Sequence, residues 1–97
     1  MKELEGLNRN LSNKRIELHV DLTLEDNSIF FNAEDDIHDL LLYQVNRIWM
    51  DYDAIPNMYE EVMINFQDMT LHCQIVQKTY HVQNNTLHIE INLKLQE

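Results

Sequence analysis

Strict alternation of apolar and polar residues in two well-separated stretches constrains this chain more than any other feature. Ile16, Leu18, Val20, Leu22 and Leu24 alternate with Glu17, His19, Asp21, Thr23 and Glu25; Leu87, Ile89, Ile91, Leu93 and Leu95 alternate with His88, Glu90, Asn92 and Lys94. A period of two belongs to a strand that buries one face, so both stretches predict sheet with a polar side left to solvent. Between them the period changes. Ile37, Leu41, Val45 and Ile48 recur at helical spacing, with Leu42 and Trp49 widening the stripe on one side and Leu40 on the other, which predicts a helix over about 33–50 packed on the sheet.

The remaining segments are read from local chemistry. Asn32 can cap that helix, and Glu34, Asp35 and Asp36 then fall in its first turn, where the positive end of the helix dipole favours them. Ile29-Phe30-Phe31 reads as a short strand, and Asn57 with Glu60 imitates a capping box ahead of the alternating Val62, Ile64 and Phe66, so 58–69 is read as a helical turn followed by a strand. Asn84-Asn85 can take the positive φ angles of a two-residue hairpin turn between strands 70–82 and 86–95. That turn pairs Val82 with Leu87, Tyr80 with Ile89 and Val76 with Leu93 on the buried side, and His81 with His88 on the other. Leu71, Cys73 and Ile75 are out of phase with it, which requires either a bulge or partial cover on the second face. Leu4, Leu7 and Leu11 predict a short N-terminal helix over 2–12, weakened by Gly6. The expected fold is α+β: an antiparallel sheet of four to five strands with one main helix on one face, in a single domain over 1–97. With 97 residues, 44 % of them apolar, the chain can bury one core.

Charge narrows the function classes. The net charge is −10, and its excess lies in residues 16–68, where 13 acids face the single base Arg47. Such a field repels nucleic acid and anionic membranes and attracts basic surfaces. The lone Cys73, the absence of a signal-like apolar start and the lack of a long apolar run predict a cytoplasmic protein without disulfides.

Chemistry-bearing motifs are few. One glycine rules out a Gly-rich phosphate loop, and Cys73 beside His72 on a strand points to the opposite face from it, so neither a nucleophile motif nor a cofactor site is expected. His81 and His88 across the hairpin supply two metal ligands where a structural zinc site needs four, and read as solvated histidines beside a turn. Asp35, Asp36 and Asp39 project over a wide arc of the helix while His38 lies near its apolar edge, so the cluster reads as helix-start acids and not as a metal or catalytic site. Asp51-Tyr52-Asp53 lacks the glycine of a calcium loop. The expectation is therefore a non-enzymatic inhibitor or adaptor that docks an acidic surface on a basic, nucleic-acid-binding groove of another protein. Anti-restriction, anti-CRISPR and immunity proteins share this profile of size and charge, an analogy of physics and not of family. Its docking residues are expected to be Glu17, Asp21, Glu25, Asp51, Asp53, Glu60 and Glu61. The rival expectation is an assembly protein that self-associates through apolar surface or a sheet edge, with the chain a monomer in the first case and a homodimer in the second.

Overall fold

The computed structural model describes the backbone of residues 6–11 and both backbone and side chains of residues 15–97, with Lys14 described by its backbone alone. Strands β1 (Gly6–Leu11) and β2 (Lys14–Thr23) form a hairpin. A 3₁₀ turn at Phe31–Ala33 then leads into helix α1 (Glu34–Tyr52), followed by β3 (Glu61–Phe66), β4 (Met69–Gln83) and β5 (Thr86–Gln96). Strands β2 to β5 make a mixed, strongly curled sheet, and β1 extends it at the β2 edge to give the order β1-β2-β5-β4-β3.

Two expectations about the sheet are corrected. It is not purely antiparallel, because β5 inserts between β2 and β4 and runs parallel to β2, with Glu17 opposite His88 and Val20 opposite Ile91. Both strands carry an unbroken apolar face, so pairing them buries both against α1, and the helix and the β3–β4 hairpin provide the long connection that a parallel pair needs. The predicted N-terminal helix is also replaced: residues 6–11 are strand, with Leu7 opposite Leu18, while the rest of the predicted span, at 2–5 and 12, lies outside the described residues. The segment 29–31 is turn and 3₁₀ rather than strand, closed by the Ser28 hydroxyl accepting from the Phe30 amide at 3.0 Å.

Helix α1 begins at Glu34 with Ala33 as its N-cap and without a side-chain cap; Asn32 lies inside the preceding 3₁₀ turn and does not cap. The acids of the first turn are Glu34, Asp35 and Asp36, as predicted. Asp53 stops the helix in the left-handed conformation at φ 55°, its amide bonding back to the carbonyls of Ile48 and Trp49. The helix buries Ile37, Leu41, Val45 and Trp49 against Leu18 and Val20 of β2, Val62 and Ile64 of β3, Leu71, Cys73 and Ile75 of β4, and Ile89, Ile91, Leu93 and Leu95 of β5. Side chains four apart on a helix fall on one stripe, which is why these four form the centre of its buried face, with Leu42 and Ile48 packed at its margins.

The out-of-phase stretch of β4 is resolved by a bulge. Ile75 faces Leu93 and Gln77 faces Asn92, leaving Val76 as the extra residue, so the predicted Val76–Leu93 pair is replaced by Ile75–Leu93. Odd-numbered residues point to the core before the bulge and even-numbered residues share that side after it. Asn84 and Asn85 take φ values of 54° and 61°, and the predicted pairs Val82–Leu87, Tyr80–Ile89 and His81–His88 form. Tyr80 and Val82 are nevertheless 62 % and 70 % exposed, because burial falls off along this side of the sheet towards the hairpin tip. A second two-residue turn, Gln67-Asp68 with φ 50° and 65°, joins β3 to β4. The turn before β3 carries half of the anticipated capping box: the Glu60 carboxylate accepts from the Asn57 amide at 2.7 Å.

Candidate functional site

The polar side of the sheet, opposite α1, brings three strands' worth of ionisable groups together. Glu17 and His19 stand two residues apart on β2 and therefore point the same way. The parallel register sets His88 of β5 directly opposite Glu17, and the β4–β5 hairpin sets His81 opposite His88. His19 Nε2 and His88 Nδ1 each lie 3.6 Å from the same Glu17 oxygen, Oε1. The two imidazoles stack with centroids 5.8 Å apart, and the His81 ring is 6.1 Å from that of His88. One ligand atom from each of Glu17, His19 and His88 falls within 4.8 Å of the others, and all three side chains are half-buried. Arg15 Nη2 approaches the other Glu17 oxygen at 3.4 Å, which orients the carboxylate and leaves Oε1 facing the imidazoles.

The seven acids expected to dock a partner divide between two sides of the molecule. Glu17, Asp21 and Glu61 lie on the outer face of the sheet, since Leu18, Val20 and Val62 beside them point into the core. Glu25 pairs with Lys94 at 2.7 Å, and Glu61 meets His72 Nδ1 at 3.1 Å. Asp51 sits on α1, in the other layer, where it accepts from Arg47 Nε at 3.2 Å. Asp53 ends that helix and Glu60 holds the turn before β3. Cations or histidines thus accompany much of the strand ladder, whose charge is lower than its acids alone suggest.

The outward side of α1 joins acids to exposed apolar side chains. Asp36, Asp39, Leu40, Tyr43, Arg47, Met50 and Asp51 lie about half a turn from the buried stripe and are exposed. Arg47, the base on this face, is already held by Asp51 and lies 6.0 Å from the Tyr43 ring centroid. Tyr43 is 60 % and Met50 51 % exposed. A shallow groove between the helix and β3 continues the surface through Leu40, Tyr43 and Met63.

His38, near the apolar edge of the helix as the spacing predicts, belongs to the packing: its Nε2 donates to the Val20 carbonyl at 3.0 Å and ties α1 to β2. Cys73 is fully buried, and burial, with a smaller contribution from the Glu61 charge, pushes its thiol up to about 11. Sequence reasoning found the His81–His88 pair but missed Glu17 and His19 as its neighbours, since their proximity depends on the parallel β2–β5 pairing. No family model matches the chain, and neither does any curated protein or solved structure. Among the described residues no helix is long and apolar enough to cross a membrane.

Proposed function

We propose that the protein is a small binding domain, an inhibitor or adaptor, that docks the outward face of α1 on a basic surface of a partner protein. The observation that supports this reading is the combination on one helix face of the acids Asp36, Asp39 and Asp51 with exposed Leu40, Tyr43 and Met50. Charge of one sign steers a basic partner, while a tyrosine and a methionine provide the kind of anchor that dominates interface energy. The strand-ladder acids, on the other side of the domain, contribute to the long-range field rather than to contact. Because the acids fall on two sides of the domain, the reading favours a compact docking face over imitation of a whole nucleic-acid duplex. A basic groove that normally holds nucleic acid is the partner class whose charge fits. Capture of the partner should weaken steeply as salt is raised and should be competed by that partner's nucleic acid. Binding unchanged from low to high salt contradicts the proposal.

A second reading, self-association through a sheet edge, is favoured by a separate observation. Beyond the bulge, β4 has no strand on its outer side among the described residues, and the exposed Tyr80 and Val82 adjoin half-buried Leu87 and Ile16. An open edge with apolar neighbours is a template for a second strand. Light scattering after size exclusion separates the two: a dimer that persists at high salt supports self-association, and a monomer supports the helix-face reading.

A further inference from the structure

We infer that Glu17, His19 and His88 form a surface site for a divalent transition ion of the zinc type, bridging β2 and β5. The inference stands on three observations independent of the docking proposal.

The first is convergence. Two imidazole nitrogens from different strands approach one carboxylate oxygen at 3.6 Å each, too far for a hydrogen bond in either case. Ligand atoms about 2.0–2.1 Å from a zinc ion in a tetrahedron stand about 3.3 Å apart, so the observed spacing is close to that of a coordination shell. All three pairwise separations stay within 4.8 Å, a gap that small side-chain rotations close. The second is rigidity. The groups project from paired central strands, whose register sets Glu17 against His88 and holds His19 on the same face, so little ordering remains to be done on binding. The third is chemistry. Two imidazoles and a carboxylate are ligands that zinc takes, with positions left for water or a further donor, and the His81 ring lies 6.1 Å from that of His88 on the same face. Glu90, opposite His19 in the register, and the exposed Asp21 add negative charge on the same face, against the positive charge of Arg15.

The test uses the full chain and zinc ion alone, titrated in competition with a chromophoric chelator at neutral pH. The expected result is one ion per chain, with affinity reduced about tenfold or more in His88→Gln and in Glu17→Gln and unchanged in His72→Gln, which alters a histidine–carboxylate pair elsewhere on the sheet. Circular dichroism checks that each variant is folded. Cobalt substitution in the unaltered protein gives a readout that needs no variant: a visible ligand-field band, with the His19 and His88 ring signals shifted together in NMR spectra. Zinc binding equally tight in His88→Gln and Glu17→Gln, or ring shifts confined to other histidines, overturns the assignment.

Discussion

Cys73 shows how far one side chain's chemistry is set by its place in the core. Its thiol faces the underside of α1 with no exposed surface, and burial holds it protonated up to a pKa of about 11, against 9.0 for an accessible thiol. At pH 8 the folded protein should therefore react negligibly with a thiol-specific disulfide reagent, whereas the denatured chain reacts stoichiometrically; rapid reaction of the native protein contradicts the placement. The same shift has a stability consequence. Below pH 9 both folded and unfolded states carry the proton, so the contribution is complete there. Between pH 9 and 11 the unfolded chain releases the proton while the folded one keeps it, and stability falls, by about 2 to 3 kcal/mol if the whole shift is expressed. Denaturation midpoints from pH 8 to 11 should fall more steeply in the native protein than in Cys73→Ala, which lacks the thiol. Parallel slopes for the two contradict the assignment.

At the scale of elements, α1 and the bulge in β4 fix the arrangement. Trp49 closes the buried stripe of α1, and Trp49→Ala should cost about 3 to 5 kcal/mol, measured by urea unfolding; a loss under about 1 kcal/mol places Trp49 outside the core. Val76 is the extra residue where the alternation of β4 changes phase. Its deletion leaves Ile75 opposite Leu93 and Gln77 opposite Asn92, so cross-strand contacts on both sides of the site, Cys73–Leu95 and Tyr80–Ile89, should persist in NMR spectra of the deletion variant. Deletion of Thr79 also removes the surplus residue and leaves Tyr80 opposite Ile89, but it sets Gln77 against Ile91 on the core side. If removal of Val76 abolishes either contact, the bulge is not what reconciles the two halves of the strand.

These elements also show what was legible in advance. The helix, the alternation of β2 and β5 and the Asn84-Asn85 turn follow from local periodicity and backbone preference, and the phase change after Ile75 already called for either a bulge or a partly covered second face. Parallel pairing of β2 with β5 did not follow, because a period of two says which side a residue faces and nothing about its neighbouring strand. The N-terminal leucines carried the same ambiguity: Leu7 and Leu11 fit a helical stripe as well as two positions on one side of a strand, and pairing with β2 decided for the strand. The histidine–carboxylate cluster was lost with the strand pairing, as His88 lies about 70 residues from Glu17 and His19 in sequence and meets them only through that register.

Across the whole molecule, charge and apolar surface separate into layers. The sheet's outer face mixes acids with histidines, Arg15 and Lys94, while the outer face of α1 joins acids to exposed tyrosine and methionine with Arg47 already engaged. The sequence located the acidic excess in the middle of the chain but not its division between two sides, since the helix and the strand ladder occupy opposite layers. Docking through α1 is tested most directly by comparing partner capture for two charge-reversed variants at low salt. One is Asp39→Lys with Asp51→Lys on the helix; the other is Asp21→Lys with Glu25→Lys on the sheet. The account predicts that the helix pair loses the partner while the sheet pair retains most of it. Loss confined to the sheet pair would contradict it.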